Sequence, residues 1–260
     1  MTDWLELCRA AARDVEGVLA QLPTRVEREP VLARGEGGDD TTAVDAAAEE
    51  VVLAHFDGLD VTIVSEEAGI RGSGSTRVVV DPIDGSLNAK RGIPFFSLSI
   101  AVADGDTMRD VHFAYVHDFG TGEEWTARRG EGAFLNGERI GGVAPKETIE
   151  ILAFEATLTS EVADKAAAFT GVAHRIRIMG SLALSLCYLA AGRMDAVVSL
   201  KPYRSVDVAA GQLLVTECGL VLMNADGSEF LDSPLDLAGH TRIAAAGNRE
   251  LCELAARALA

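Results

Sequence analysis

A run of valines that ends in two aspartates constrains this chain more than any other feature. Residues 77–84 read RVVVDPID, so an apolar, β-branched stretch leads directly to Asp81 and Asp84. Such a stretch predicts a buried strand. Carboxylates at its end are unfavourable unless a cation neutralises them, and no lysine or arginine lies between Arg77 and Lys90. A divalent metal ion is the favoured interpretation, although Asp-Pro and Asp-Gly pairs also form simple turns.

Other acidic residues stand at the ends of predicted elements in the same way. Glu66 follows the β-branched run VTIV, and Asp45 and Asp207 lie in the first turns of helices predicted over 43–55 and 205–219. At a helix start, an acid can instead complete a capping box or offset the helix dipole. Taken together, the acids indicate a cluster of oxygen ligands, which is what hard cations such as Mg²⁺ prefer.

Helical and extended patterns alternate along the rest of the chain. Residues 1–22 predict an amphipathic helix without the features of a signal peptide. Residues 180–193 predict a buried helix, and the Asn-Gly pair within 132–140 predicts a hairpin turn. The stretches 33–42 and 65–76 are predicted to be loops, the first of them a mobile lid with glycine hinges. This mixture predicts a layered fold of helices and strands.

The chain is strongly acidic. Forty Asp and Glu residues face 23 Lys and Arg residues, of which four are lysines, and the net charge is −17. Such a surface repels nucleic acid and anionic membranes. An acidic, lysine-poor surface is typical of a protein adapted to concentrated salt, where screening reduces the repulsion between carboxylates. The alternative is an ordinary acidic cytosolic protein. No apolar run is long enough to span a membrane, and four separated cysteines without a CxxC pair predict a reduced, cytoplasmic protein without a zinc site.

Three separated motifs carry a family resemblance. VVVDPIDGSLN resembles the DPIDGTxN motif of the inositol monophosphatase family, IVSEEAG resembles its GEE motif, and SVDVAAGQLLVTECG resembles its WDxAAGxxIvxEAGG motif. The stretch NAKRGIPFFSLSIAV looks closest to archaeal members that act on both fructose-1,6-bisphosphate and inositol phosphate. The resemblance covers nearly the whole chain. It implies an α+β fold, an αβαβα sandwich in one domain with two lobes, about 1–145 and 146–260, and a homodimer.

The resemblance also implies a metal-dependent site. Two or three Mg²⁺ ions, or alternatively Mn²⁺, are expected on Glu66, Asp81, Ile83, Asp84 and Asp207. The residues implied to activate or orient the attacking water are Asp45, Glu66 and Ser86. Substrate contacts are predicted for residues that flank these ligands, or that supply cations and helix-start amides to phosphate: Asp84, Gly85, Ser86, Arg177, Gly180, Ser181, Leu182, Lys201 and Arg204.

The predicted activity is hydrolysis of a phosphate monoester by direct attack of a metal-bound water. Leu200 stands seven residues before Asp207, where inositol-selective members carry a glutamate, so fructose-1,6-bisphosphate, cut at its 1-phosphate, is favoured over inositol-1-phosphate. Two residues depart from the family motifs. Ser86 stands where the first motif has threonine, which keeps the hydroxyl, and Val206 stands where the third motif has tryptophan, which removes no metal ligand. The alternatives are an inositol monophosphatase proper, a nucleotidase for 3′-phosphoadenosine-type bisphosphates, and a regulatory module without activity. The expected partner is a small phosphorylated sugar or polyol, without nucleic acid or membrane.

Overall fold

Two β-sheets form the framework of the computed structural model, which describes residues 2–38, 40–142, 144, 146–155 and 158–260. A separate antiparallel hairpin precedes them, formed by β1 (Val31–Arg34) and β2 (Asp40–Thr42). The larger sheet contains β3 (Val61–Ser65), β4 (Gly69–Gly72), β5 (Thr76–Asp84), β6 (Ser97–Ala103), β7 (Val111–Asp118), β8 (Glu124–Arg128), β9 (Gly132–Leu135) and β10 (Glu138–Ile140). Its order is β10-β9-β8-β7-β6-β5-β3-β4, and β3 and β5 are its parallel pair.

The smaller sheet is formed by the second half of the chain. Its strands are β11 (Ile149–Glu155), β12 (Ala173–Arg177), β13 (Ala196–Ser199), β14 (Val221–Asn224) and β15 (Ile243–Ala246). Their order is β12-β11-β13-β15-β14, with β11 parallel to both of its neighbours. The two sheets lie on either side of the predicted lobe boundary at residue 145, and the division into lobes stays a prediction.

Helices cover both sheets and separate them. The α-helices are α1 (Trp4–Gln21), α2 (Arg25–Arg28), α3 (Ala43–Ala54), α4 (Ser86–Arg91), α5 (Thr159–Ala166), α6 (Leu182–Ala190), α7 (Ser205–Glu217) and α8 (Arg249–Leu259). Short 3-10 helices occur at Met108–Asp110, Ala167–Phe169 and Phe230–Asp232. In the described part of the chain, no helix combines the length and the apolar character needed to cross a membrane.

The layers follow from which faces are apolar. Helices α1 and α3 pack on the outer face of the larger sheet, where Val15 and Val52 join Val80 in one core. Helices α6 and α7 lie between the sheets, and every residue of α7 up to Val215 is buried. Helix α8 covers the outer face of the smaller sheet, where Leu251 packs in a third core. This arrangement confirms the predicted αβαβα sandwich and the buried helix within 180–193.

Two segments that were predicted to be loops contain strands. Residues 33–42 belong largely to the β1–β2 hairpin, and residues 65–76 include β4, which pairs with β3. These predictions were wrong because backbone hydrogen bonds to a neighbouring strand, rather than apolar side chains, hold both segments. Asp39, within the first segment, lies outside the described residues. The Asn-Gly hairpin is confirmed, since Asn136 and Gly137 adopt the positive φ angles, 51° and 79°, that this turn requires.

Candidate active site

Strand β5 brings Asp81 and Asp84 to one edge of the larger sheet. Its pairing with β6 changes register between the two aspartates, so Pro82 and Ile83 form a bulge there. The backbone N–H of Ile83 donates to the Asp81 carboxylate at 3.0 Å. A bulge re-aims the side chains around it. The valine run therefore ends with two buried aspartates that flank the bulge, 2% and 8% exposed.

Three further elements bring acids to the same edge. Glu66 follows β3, which is parallel to β5, so the carboxyl ends of both strands meet. Asp207 lies in the first turn of α7 and lines the same cavity, of about 360 Å³, as Glu66 and both β5 aspartates. Asp45, in the first turn of α3, lines a small adjoining cavity, of about 10 Å³, together with Ser86. The structure thus gathers the predicted acidic residues around one opening.

The predicted substrate contacts lie at different depths around this opening. The larger cavity is lined by six of them besides Asp84: Gly85, Ser86, Gly180, Leu182, Lys201 and Arg204. Ser181 is buried behind the wall, where its hydroxyl donates to Asp84 Oδ2 at 2.5 Å. Arg177 is exposed on β12 and is not among the described residues that line the cavity. Its predicted contact with substrate stays a prediction.

Asp45 and Asp207, the two acids at helix starts, also complete capping boxes, the alternative role for an acid at such a position. Asp45 accepts from the backbone N–H and hydroxyl of Thr42, at 3.1 and 2.5 Å. Asp207 accepts from the backbone N–H of Arg204 at 2.8 Å, so the residue before α7 is Arg204 and the predicted cap Ser205 is its first helical residue. Capping uses one side of each carboxylate, and Asp45 Oδ1 is left buried without a hydrogen-bond partner.

Two cations enter the acidic cluster: Arg204, three residues before Asp207, and Lys90, on α4. The Arg204 guanidinium lies 2.8 Å from Glu66 and 2.9 Å from Asp207, and Lys90 Nζ lies 3.3 Å from Asp45. Burial alone would lower the pKa of Arg204, but the carboxylates of Asp207 and Glu66 raise it, so the side chain stays charged. The absence of basic residues near the aspartates in the sequence is therefore partly offset by the fold.

The remaining charge still favours a metal ion. Burial, followed by the carboxylates of Glu66 and Asp84, raises the pKa of Asp81 well above its usual value. Burial also raises the pKa of Asp84 to about 7, although the hydrogen bond from Ser181 opposes this shift. Among the described residues, no group of three acidic, histidine or cysteine side chains is arranged so that it could already hold a metal ion. The oxygen-only donor set and the unpartnered Asp45 Oδ1 nevertheless fit a hard divalent cation, which would complete the cluster.

Seven residues that line the cavity were not predicted as part of the site. They are Asp40, Glu67, Leu87, Lys90, Glu155, Ser199 and Tyr203. The sequence carried a signal for two of them: Lys90 lies four residues after Ser86, on the same helix face, and Glu155 ends the apolar strand ILAFE much as Glu66 follows VTIV. Burial raises the pKa of Glu155 to about 7, and burial likewise raises that of Glu67 to about 7.

The β1–β2 hairpin lies directly on the metal-ligand edge. The backbone N–H groups of Gly37 and Glu36 donate to the carbonyls of Glu66 and Glu67, at 2.8 and 3.2 Å. A Cβ on Gly37 would lie 2.7 Å from Arg204 Nη1 and 3.0 Å from the Glu66 carbonyl oxygen, so a larger residue there would displace the Arg204 side chain. The hairpin also contributes Asp40 to the cavity lining, and its movement as a lid stays a prediction.

Comparison with known proteins decides the family. The family model described as the inositol monophosphatase family matches residues 4–260. The chain belongs to the inositol monophosphatase family. A fructose-1,6-bisphosphatase/inositol-1-monophosphatase from Methanothermobacter thermautotrophicus is 34% identical over 96% of this chain and 94% of its own length. The Nus factor SuhB from Vibrio cholerae is 34% identical over 90% of each chain.

A solved structure agrees with this assignment. The crystal structure of the MJ0109 gene product, an inositol monophosphatase-fructose 1,6 bisphosphatase, has a TM-score of 0.88 and 27% identity, with 99% of this chain and 100% of that chain covered. The predicted family resemblance and fold are confirmed. The protein is a phosphatase of a family whose enzymes depend on metal ions.

The raised pKa values predict that stability decreases as pH increases. Asp84 and Glu155 have pKa values of about 7 in the folded protein, whereas such groups titrate near pH 4 in unfolded chains. Between these values the folded state binds more protons than the unfolded state. The stability contributed by these groups is thus fully present below about pH 4 and is lost as pH rises through about 7.

Differential scanning fluorimetry checks this expectation. With a chelator, the melting temperature should fall between about pH 5 and pH 8, and Mg²⁺ should raise it more at pH 8, because a cation favours the ionised carboxylates. Glu155→Gln, which removes one of the titrating groups, should flatten the dependence. A melting temperature that rises with pH in the chelator would contradict the assigned shifts.

Proposed function

We propose that this protein hydrolyses a sugar phosphate with two Mg²⁺ ions, and that fructose-1,6-bisphosphate, cut at its 1-phosphate, is its preferred substrate. The observation that carries the proposal is the distribution of charge around the cavity. Lys201 lines the same cavity as the carboxylates and has no acidic partner among the described residues, whereas Lys90 and Arg204 are paired with acids. A phosphate held at the carboxylates through metal ions would leave Lys201 for a second phosphate. Such a reaction would place the enzyme in gluconeogenesis.

The proposed ligands divide into two overlapping sets. Glu66, Asp81 and the Ile83 carbonyl would hold one ion, and Asp81, Asp84 and Asp207 the other. When bound, the ions supply the acidity that activates a water molecule and the charge that neutralises phosphate oxygens. Each set contains at least two carboxylates, and Asp81 belongs to both. This sharing is supported by the position of both β5 aspartates, which line the same cavity.

The remaining residues orient the reactants. The unpartnered Oδ1 of Asp45 and the hydroxyl of Ser86 line the same small cavity, so we assign them the attacking water and its proton. The backbone of Gly85 and Ser86 would bind the phosphoryl oxygens, since Gly85 has a φ of 90° and carries no side chain toward the cavity. The water would attack directly, in line with the ester bond, without a phosphoenzyme.

A phosphate-release assay over a panel of esters tests the substrate. We expect kcat/KM to be higher for fructose-1,6-bisphosphate than for inositol-1-phosphate, and lowest for 3′-phosphoadenosine 5′-phosphate. Tyr203 is the aromatic residue among the described cavity-lining residues, and its ring is buried against Phe230 and His240, so a purine would find no stacking surface. A preference for the adenosine substrate would favour the nucleotidase. No release from any ester would favour a regulatory module.

Salt adaptation is proposed from the charge of the chain. A net charge of −17 with four lysines leaves a surface on which carboxylates repel one another. The melting temperature should therefore rise steeply with KCl and continue to rise toward molar salt, where the Debye length is already about 3 Å. Thermal unfolding from low to molar KCl measures this. A constant melting temperature would rule out the proposal.

A cytoplasmic homodimer is proposed for the assembled enzyme. The cysteines are free, and three of the four are buried, as suits a reducing compartment. Ile93 and Ile178 are each 49% exposed, and Asn88 binds the carbonyls of both adjoining segments, at Phe95 and Met179. Exposed isoleucines on two segments that Asn88 links suit a subunit contact. Light scattering should give twice the monomer mass of 27.4 kDa, and a monomer would contradict the proposal.

A further inference from the structure

Glu155 is a buried carboxylate of the cavity wall for which the proposed chemistry has no use. It ends β11 and is 6% exposed. Its Oε2 accepts from the backbone N–H of Gly180 at 2.9 Å, and its Oε1 accepts from the Ser185 hydroxyl at 2.6 Å. Both partners belong to the turn and first helical turns that begin α6. Glu155 therefore fixes the start of α6 against the end of the smaller sheet.

The segment that Glu155 holds is the one that holds Asp84. The Ser181 hydroxyl and the Ala183 backbone N–H both donate to Asp84 Oδ2, at 2.5 and 2.8 Å. One oxygen of this proposed metal ligand is thus committed to residues 181–183. The direction in which Asp84 presents its other oxygen depends on where this segment lies.

The same segment also packs on the backbone that would bind phosphate. A Cβ on Gly85 would lie 2.9 Å from the carbonyl oxygen of Gly180. From the larger sheet's side, the Asn88 amide donates to the carbonyls of Met179 and Phe95, at 2.7 and 2.8 Å. The start of α6 is therefore held from both halves of the chain, by Asn88 on one side and Glu155 on the other.

We infer that Glu155 is a positioning residue for the second metal ion, which is the one assigned to Asp81, Asp84 and Asp207. Glu155 holds residues 180–185 in place, and Ser181 and Ala183 then orient Asp84. The inference rests on the two-metal function proposed above. Hydrogen-bonded residues behind metal ligands orient those ligands, and their loss typically weakens metal affinity about 10- to 100-fold. For Glu155, the hydrogen bonds rather than the charge perform this role.

Substitutions separate the hydrogen bonds from the charge. Glu155→Leu keeps the bulk but leaves the Gly180 N–H without an acceptor. Glu155→Gln keeps both contacts, because its amide oxygen accepts from Gly180 and its amide nitrogen donates to Ser185. Ser185→Ala removes one of the two anchors and changes little else. Glu150→Leu is the matched control, since Glu150 lies on the same strand but pairs with Lys146 and Arg175 at the surface.

The Mn²⁺ affinity of each site can be measured without turnover. Mn²⁺ is titrated into the chelator-stripped protein, and electron paramagnetic resonance gives the concentration of the free ion. The unsubstituted protein should bind two ions. In Glu155→Leu, one site should weaken about 10- to 100-fold while the other stays within about twofold. Ser185→Ala should weaken the same site by a few fold. Glu155→Gln and Glu150→Leu should match the unsubstituted protein.

The outcomes distinguish the inference from the function on which it rests. Fewer than two ions on the unsubstituted protein would overturn the two-metal proposal, and with it a role for Glu155 at the second ion. Two ions there, with unchanged affinities in Glu155→Leu, would overturn the inference alone. A Glu155→Gln variant as weak as Glu155→Leu would also overturn it, because the charge would then be responsible. If Glu155→Leu does not fold, unchanged affinities in Ser185→Ala would be the contrary result.

Discussion

Replacing Asp84 or Asp207 with asparagine should abolish phosphate release and leave the protein folded. Each change keeps the shape of the side chain and removes the charge that a metal ligand needs. In Asp84→Asn, the amide oxygen can still accept from Ser181 and Ala183, which turns the amide nitrogen toward the metal position. In Asp207→Asn, Arg204 loses the charge of one of its two carboxylate partners. We expect the rate to fall by at least about 100-fold, since fixed charges at a phosphoryl-transfer site contribute on this scale.

Asp110→Asn is the matched control for this prediction. Asp110 closes a cap on Thr107 three residues earlier, with a backbone contact of 3.0 Å, just as Asp207 closes one on Arg204. The control should keep full activity, and circular dichroism should show that all three variants fold. If either site variant keeps more than about a tenth of the original activity at saturating Mg²⁺, the assignment of two metal ions is wrong.

Lys201→Ala should raise KM for fructose-1,6-bisphosphate and barely change the KM of a monophosphate. A charge-assisted contact to phosphate contributes roughly 1.5–3 kcal/mol, or about 10- to 100-fold in affinity. The other two cations that line the cavity already contact carboxylates, Lys90 at Asp45 and Arg204 at Glu66 and Asp207. Lys201 is therefore the cation that the second phosphate is expected to meet. Steady-state kinetics on both substrates measures the difference.

Two further variants sharpen this comparison. The sequence predicts the same effect for Arg177→Ala, but the exposed position of Arg177 outside the cavity lining predicts a smaller one. Lys165→Ala is the control, because Lys165 lies on α5 and donates to the carbonyl of Ala260, away from the cavity. Equal losses on both substrates in Lys201→Ala would exclude a second phosphate site at this residue. A higher kcat/KM for inositol-1-phosphate in the unsubstituted protein would exclude the bisphosphate preference.

The local motifs determined the family, the fold and the acidic part of the site. Asp81 and Asp84 were predicted because the valine run and the two aspartates after it lie in one short stretch of sequence. Glu66, Asp45 and Asp207 were predicted for the same reason, since a strand end or a helix start fixes where an adjacent carboxylate points. The buried helix within 180–193 was equally local, because its residues are apolar on nearly every side.

Only the tertiary structure decided how these acids are neutralised and held. Arg204 and Lys90 reach carboxylates that come from other elements, and no pattern of neighbours in the sequence shows which cation meets which acid. The strands at 31–34 and 69–72 depend on pairing partners rather than on their own side chains, so their composition resembled that of loops. Glu155 supports Asp84 through a turn 25 residues further along the chain. Long-range hydrogen bonds and ion pairs form between groups that packing brings together, and their energies are therefore not encoded in any short stretch of the chain.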